Sequence, residues 1–392
     1  MIVDTDVAVV GAGPAGARAA ELLASGGLRV ALFDPRVPWE KPCGGGLTAA
    51  AFRHVPELGG IEPFVRRIDR IRLEADDIVL HLGLDHPLRV VSRTALGLWQ
   101  LDRALAAGAV LEPVAVRHVC RDESGCWKLE FADGGSLQAK YLVGADGAAS
   151  VVRRAVAARL RIELDPARVA FAPGAGATPE EIGFRFIAGV TGYAWDFPRP
   201  DHRSIGMGVT PGTWGRRRMD EEIDRYWTEL GGCRCVGAVW AGAVIGTAGR
   251  MRPRDYHWIG GDDFALLGDA AGLADPATGE GMLNAMRSAG MLAESFDRDR
   301  SFAGYPRLVA HRLEPEFRTA RRVQRLLYGG GLARRLIGLA PNHRGVRTLL
   351  TAIVNDGNEH DVQLGRRLLQ VLLGGSQGRR GGILQRPARG MT

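Results

Sequence analysis

The stretch TDVAVVGAGPAGARAAELLASGGLRVALFD, residues 5–34, decides the fold. TDVAVV is a short, valine-rich apolar run, the pattern of a buried strand. GAGPAG follows at once; ARAAELLASGG reads as a helix halted by glycines, and LRVALFD as the next strand. This strand–helix–strand unit carries G-x-G-x-x-G at its first turn. Gly11 permits the tight turn, Gly13 lets a pyrophosphate approach the main chain, and Gly16 lets helix and strand lie close. The helix N-terminus offers free N–H groups and the positive end of its dipole to the phosphates. Asp34 ends the second strand, where a carboxylate meets ribose hydroxyls and disfavours a 2′-phosphate. The expectation is an α/β, Rossmann-like domain that binds FAD or NAD.

Composition bounds the rest. The chain has 392 residues, 46% of them apolar, enough for one large α/β unit and a second lobe. Its net charge is +7, yet aromatic and basic residues do not interleave as in a strand-binding groove, so no nucleic-acid partner is expected. A basic surface suits anionic headgroups or phosphorylated substrates. Cys43, Cys120, Cys126, Cys233 and Cys235 are odd in number and scattered, which argues for a reducing compartment rather than a disulfide framework. Cys233 and Cys235 form a C-x-C with no second pair at zinc spacing, so no metal is expected. Folding signals start almost at the first residue, so no leader is read. The longest uncharged apolar run, residues 235–249, is too short and glycine-rich to span a bilayer, which needs ~20 residues. The reading is cytoplasmic, with membrane contact at most peripheral and the oligomeric state open.

Three further stretches choose between the dinucleotides. YLVGADGAASVVRR, 141–154, is a strand, a glycine-flanked Asp146-Gly147 and a helix. DDFALLGDAAGLADPATGEGMLNAMRSAGMLAESF, 262–296, has a strand ending at Gly268-Asp269 and a loop leading to a helix near Gly281. VSRTALGLWQLDRALAAGA, 91–109, is a helix with Arg93 at its start. Together they resemble the FAD-dependent oxidoreductases of glutathione-reductase-like type, shared by aromatic hydroxylases, flavin halogenases and geranylgeranyl reductases. The resemblance implies FAD, with Asp146 along the pyrophosphate, Asp269 at the ribityl chain and Arg93 on the cofactor. It further implies contacts from Pro14, Ala15, Pro35, Leu47, Val114, Gly147, Gly268, Pro276, Gly279, Gly281 and Met282. Gly97 departs from the pattern, standing where relatives carry an acid. GGGLARRL, 329–336, follows a helical stretch and is no second dinucleotide turn, so NAD(P)H or a ferredoxin-like protein is the expected transient reductant.

Two segments place the chain within that superfamily. KPCGGGL, 41–47, is similar to the stretch that runs beside the flavin in the geranylgeranyl reductase family. YAWDFPRPDHRSIGMGV, 193–209, is similar to that family's Y-x-W-x-F-P segment on the substrate sheet. A halogenase is disfavoured, because Tyr193 opens the segment and no lysine follows Lys140. Physically, Gly44, Gly45 and Gly46 would clear every Cβ from the approach to flavin N5 and turn N–H groups to the ring. Cys43 stands beside them as packing or, as the resemblance suggests, as a group that helps protonate or position an alkene. Tyr193 and Trp195 share one side of a strand, as the wall of an apolar pocket or an ordinary core face, with Phe197 and Pro198 turning the chain away.

The expected organisation is a discontinuous FAD-binding domain from 1–60, 90–155 and 255–310, with an inserted antiparallel substrate sheet from 61–89 and 156–254. A C-terminal helical segment, 311–373, and a disordered tail, 374–392, follow. The helical segment is either a cap over the cavity or a basic amphipathic surface against membrane. The resemblance implies an enzyme of lipid biosynthesis: a reductase that passes hydride from FAD to carbon–carbon double bonds of an isoprenoid or related apolar substrate. The alternative is an FAD-dependent monooxygenase of an apolar or aromatic small molecule. Cys43, Tyr193 and Trp195 are the candidate catalytic residues.

Overall fold

Val7, Ala8 and Val9 are wholly buried, and the strand that holds them, Thr5–Val10, is the axis of the first of two sheets. The computed structural model describes residues 4–173, 181–232, 238–328 and 331–355. Thr5–Val10 runs parallel to Val30–Phe33 on one side and Ser136–Gly144 on the other, and Val110–Glu112 extends the row beyond Val30–Phe33. Ser136–Gly144 divides its far edge. Its first half pairs antiparallel with Trp127–Phe131, and its second half pairs parallel with Phe264–Leu266. Trp127–Phe131 in turn pairs with Val116–Arg121, completing the three-stranded excursion that the turns at DESG and ADGG predict. Helix Pro14–Ser25 leaves the first turn and packs on helices Arg93–Ala106 and Met282–Asp299.

The second sheet has eight strands, in the order Val239–Thr247, Glu163–Pro173, His202–Val209, Gly192–Pro198, Glu181–Phe186, Val65–Ala75, Ile78–Val91 and Gly46–Leu47. It is antiparallel throughout except where Glu181–Phe186 runs parallel to Val65–Ala75. A wholly antiparallel sheet is therefore corrected. These two strands come from separate excursions out of the first sheet, so no hairpin forces them to oppose.

The register divides the second sheet's faces cleanly. Leu73, Leu80, Ile182, Phe184, Tyr193, Trp195, Phe197, Ala167 and Val169 share one face with apolar neighbours. The other face is covered by helix Arg216–Glu229. There Arg72 bonds Glu74 (2.6 Å), Glu181 (3.1 Å) and Asp196 (3.3 Å), while Arg203 bonds Asp196 (2.8 Å). Each buried charge is thereby paired, as a dry interior demands. Helices Tyr305–Tyr328, Leu332–Leu339 and Arg344–Asn355 then close over the apolar face through Ala320, Val323, Leu327, Leu336, Ile337 and Leu349. Among the described residues, no helix is long and apolar enough to cross a membrane. The C-x-C at 233–235, the helical pattern past 355 and the expected tail at 374–392 lie outside the described residues.

Candidate active site

A cavity of about 710 Å³ runs from the first glycine turn to the C-terminal helices. At one end it is bounded by Gly11, Gly13, Pro14, Ala15, Asp34, Pro35, Arg93, Val114, Asp146 and Gly147. Cys43, Gly44, Gly45, Gly46, Asp269, Pro276, Gly279, Gly281 and Met282 surround its middle, and Tyr193 and Trp195 face its far half. Three expected contacts stand away from it. Leu47 is buried among Leu58, Ile61 and Val91, because the pleat of its short strand turns it inward. Gly16 serves packing alone, since a Cβ there would collide with the Gly11 carbonyl. Gly268 lies against Ala15 and Ala285, with its N–H on the Ser288 hydroxyl (3.2 Å).

The glycine-turn end fits a dinucleotide. A Cβ at Gly13 would meet nothing within 4 Å, so the main chain faces open space just where helix Pro14–Ser25 begins. Asp34 accepts from the Ala12 N–H (3.0 Å) and the Arg36 N–H (2.9 Å), which fixes its carboxylate at the cavity rim. Among the described residues, Arg93 Nε is buried without a hydrogen-bond partner, as is Thr48 Oγ1 beside the same cavity. Buried polar atoms are seldom left so, and an anionic, oxygen-rich ligand would satisfy both. Asp146 lines this end and is fixed by its own hydrogen bonds. Its carboxylate accepts from Ser150 Oγ (2.6 Å) and the Val151 N–H (2.6 Å) and so caps helix Val151–Val156. Burial raises its pKa.

The glycine loop is clamped from behind. Arg199, fully buried at the end of strand Gly192–Pro198, donates to the Cys43 carbonyl, to the Gly44 carbonyl (3.3 Å) and to Glu40. Ser204 Oγ donates to the Cys43 carbonyl as well (2.8 Å). Glu40 also accepts from Ser92 Oγ (2.7 Å), the Arg93 N–H (2.9 Å) and the Thr94 N–H (3.1 Å), which supplies an acid at that helix start. Burial works against its charge, but Arg199 and these donors prevail and hold its pKa down at about 2. The three glycines are required first by the protein itself. A Cβ on Gly44 or Gly46 would stand 2.8 or 2.9 Å from the Phe197 ring. Gly45 has φ +86°, and a Cβ on it would strike the Val91 carbonyl.

The aromatic segment is corrected in one respect. Phe197 does not turn the chain away; it continues the strand and forms the third ring of the wall, 5.4 Å from Phe184. Tyr193 and Trp195 hold parts of the site in place. The Tyr193 hydroxyl donates to the Thr278 carbonyl, and the Trp195 N–H donates to Ser204 Oγ (3.3 Å), itself bonded to Cys43. Gln324 and Tyr328 take the two preceding carbonyls, of Pro276 (2.7 Å) and Ala277 (2.6 Å). Three successive carbonyls of the loop before Gly281 are thus gripped by side chains of the aromatic strand and of helix Tyr305–Tyr328. Cys43 Sγ accepts from the Gly45 N–H (3.3 Å) at the cavity's waist, and Lys41 Nζ reaches Asp269 (3.3 Å) across it. Sequence reading misses Glu40, Arg199, Gln324 and Tyr328; only their polar character in apolar or loop settings sets them apart.

Comparison with known proteins agrees with this geometry. Residues 4–171 match the FAD binding domain family. Digeranylgeranylglycerophospholipid reductase 1 of Methanopyrus kandleri is 30% identical over 346 residues, covering 80% of this chain and 87% of that one. The chain belongs to the geranylgeranyl reductase family of FAD-dependent oxidoreductases. A menaquinone reductase of Mycobacterium tuberculosis is similar to the same degree, 30% over 357 residues, covering 82% of this chain and 84% of that one. The fold is shared with a geranylgeranyl bacteriochlorophyll reductase-like protein of Thermoplasma acidophilum, with TM-score 0.75 at 19% identity over 93% of this chain and 99% of that one. For a geranylgeranyl reductase family member, Gly13, Asp34, Arg93 and Thr48 are the residues that would hold FAD: an open main-chain approach, a fixed rim carboxylate and two unsatisfied buried polar atoms.

Proposed function

We propose that this protein reduces carbon–carbon double bonds of an isoprenoid chain lying in the far half of the cavity. The observation that carries the reading is the lining beyond Cys43: Phe184, Phe186, Tyr193, Trp195, Leu327 and Ile353. Such a wall suits a long hydrocarbon, excludes water and offers few polar groups to compete. FAD, once reduced, supplies hydride to such a bond. The residues of this chain do the rest. Gly44 and Gly46 let the loop pack on the Phe197 ring, Arg199 and Ser204 hold that loop to the aromatic strand, and Tyr193 ties the strand to the loop before Gly281. This fixes the reacting bond over its partner, where orientation counts for most. NAD(P)H or a ferredoxin-like donor reloads the cofactor from outside.

The test is anaerobic incubation of the chemically reduced holoenzyme with geranylgeranyl diphosphate, a digeranylgeranyl glycerolipid or menaquinone. Mass spectrometry should find products heavier by one H₂ per reduced bond. No gain with any of them, or oxygen incorporated from ¹⁸O₂ under air, would overturn the reading, the latter in favour of a monooxygenase.

We further propose that the substrate is met at an anionic membrane surface. Residues 317–355 carry eight arginines and no aspartate or glutamate. Helix Tyr305–Tyr328 exposes Arg318, Arg322, Arg325 and Leu326 on its outer side, while Val323, Leu327 and Tyr328 line the cavity. Basic and apolar groups on one outer surface favour anionic headgroups.

A further inference from the structure

Asp165 is a buried acid on a sheet face that continues into apolar residues. It sits in strand Glu163–Pro173 with Ala167 and Val169 continuing the same face, and it lines the cavity. It is 8% exposed. Its Oδ2 accepts from Thr247 Oγ1 (3.3 Å), but among the described residues its Oδ1 is buried with no partner. A carboxylate kept for stability would have both oxygens satisfied and a cation beside it, as Asp196 has on the opposite face. Asp165 has neither.

Its position is as telling as its isolation. Thr247, which bonds it, bridges to Ala274 at the start of the loop whose carbonyls Tyr193, Gln324 and Tyr328 hold. Ile245 stands opposite Asp165 in the register, and its Cδ1 lies 3.7 Å from where a Gly279 Cβ would be, with Tyr193 Oη at 3.9 Å from the same point. The acid therefore flanks the junction of the aromatic wall and the cofactor loop. The hydroxyls of Tyr193 and Tyr328 and the N–H of Trp195 are already engaged as donors, to the Thr278 and Ala277 carbonyls and to Ser204.

We propose that Asp165 delivers the proton that completes alkene reduction in this cavity. The inference rests on the reductase reading above. The π bond breaks; one carbon takes hydride with its electron pair from reduced FAD, and the other takes the proton as the Asp165 O–H bond parts. FAD is left oxidised and Asp165 is left as carboxylate. Solvent reprotonates the carboxylate between turnovers, and the external NAD(P)H or ferredoxin-like donor restores the reduced flavin. Its burial on this face favours the protonated acid below neutral pH. Burial pushes its carboxyl up to about 7 and the charge of Glu163 adds to this, with Thr247 and Arg250 opposing. Glu163 is itself 3.6 Å from Arg250, and the adjacent loop brings Asp269, Asp275 and Glu280 as the remaining acids.

The experiment uses the holoenzyme and Asp165→Asn, with Asp165→Glu as the conservative variant. Infrared spectra in H₂O and D₂O below neutral pH should show a protonated-carboxyl stretch in wild type that is missing from Asp165→Asn; no such band in wild type overturns the proposal. With geranylgeranyl diphosphate as probe, the Asn variant should bind FAD and be reduced normally yet be reoxidised by the alkene about 100-fold or more slowly. Asp165→Glu should recover part of the rate. Wild type and Asp165→Asn reoxidised equally fast would overturn the Asp165 assignment alone. Wild type that reduces no alkene overturns the reductase reading and the proton step with it.

Discussion

Arg199, fully buried, and Glu40, partly exposed, form an ion pair that joins the second sheet to the first directly behind the glycine loop. Because Glu40 also caps helix Arg93–Ala106, one carboxylate sets the position of the loop, the helix start and Arg93 together. Arg199→Ala would leave that carboxylate without its cation and empty a buried site. The expected cost is about 1.5–3 kcal/mol of stability, read by denaturant unfolding, with loss of bound FAD. A variant that unfolds like wild type would show that the pair is not a structural clamp.

The same pair gives a pH dependence with a definite sign. Glu40 falls from an ordinary value of 4.5 to about 2 on folding, so its contribution is present above 4.5 and fades as pH drops towards 2. The contribution is roughly 3 kcal/mol. Glu40→Gln should therefore lower stability at neutral pH and flatten the acid limb of the stability curve. An unchanged acid limb would show that other groups govern acid unfolding.

Gly13 and Gly16 separate ligand from fold. A Cβ on Gly13 meets no protein atom within 4 Å, whereas one on Gly16 collides with the Gly11 carbonyl. Gly13→Ala should keep apoprotein stability within about 0.5–1 kcal/mol, given its exposed helix-cap setting, and lower FAD affinity. Gly16→Ala should destabilise the apoprotein by about 1–3 kcal/mol through overpacking. Flavin fluorescence and apoprotein melting distinguish the two.

Gly44→Ala drives a methyl into the Phe197 ring, 2.8 Å away. It should cost about 1–3 kcal/mol, and Phe197→Leu should relieve part of it because the smaller side chain yields the space. A double-mutant cycle measures the coupling. Strict additivity would mean that the loop shifts rather than meets the ring.

How far the sequence discloses this site depends on the range of the interaction. The glycine turn, Asp34 and the strand–helix junctions are local features, and motif spacing exposes them. The alternation of Tyr193 and Trp195 is local as well, so their shared face is readable, but their hydrogen-bond partners are not. Thr278 lies 85 positions from Tyr193, and Glu40 lies 159 from Arg199. No periodicity links such pairs; only the folding of two sheets onto one loop does. Phe197 was misplaced for the same reason, since its proline neighbour resembles a turn while its ring is held by Gly44 and Gly46 across the interface. Leu47 belongs to the same motif as the glycines, but its strand turns its side chain into the core, which the motif itself does not reveal.

The outer side of helix Tyr305–Tyr328 gives the last prediction. Arg318, Arg322 and Arg325 are exposed on the turns whose inner residues, Val323 and Leu327, bound the cavity. Each basic group near a charged surface contributes about 1 kcal/mol. Reversing Arg322 and Arg325 with R322E and R325E should lower binding to phosphatidylglycerol vesicles by at least about tenfold, since each change removes one attraction and adds one repulsion. Neutral phosphatidylcholine vesicles should bind weakly in both forms, and salt should narrow the gap by screening. FAD content reports that the fold is kept. Flotation of the variant with anionic vesicles at the wild-type level would exclude this helix as the contact surface.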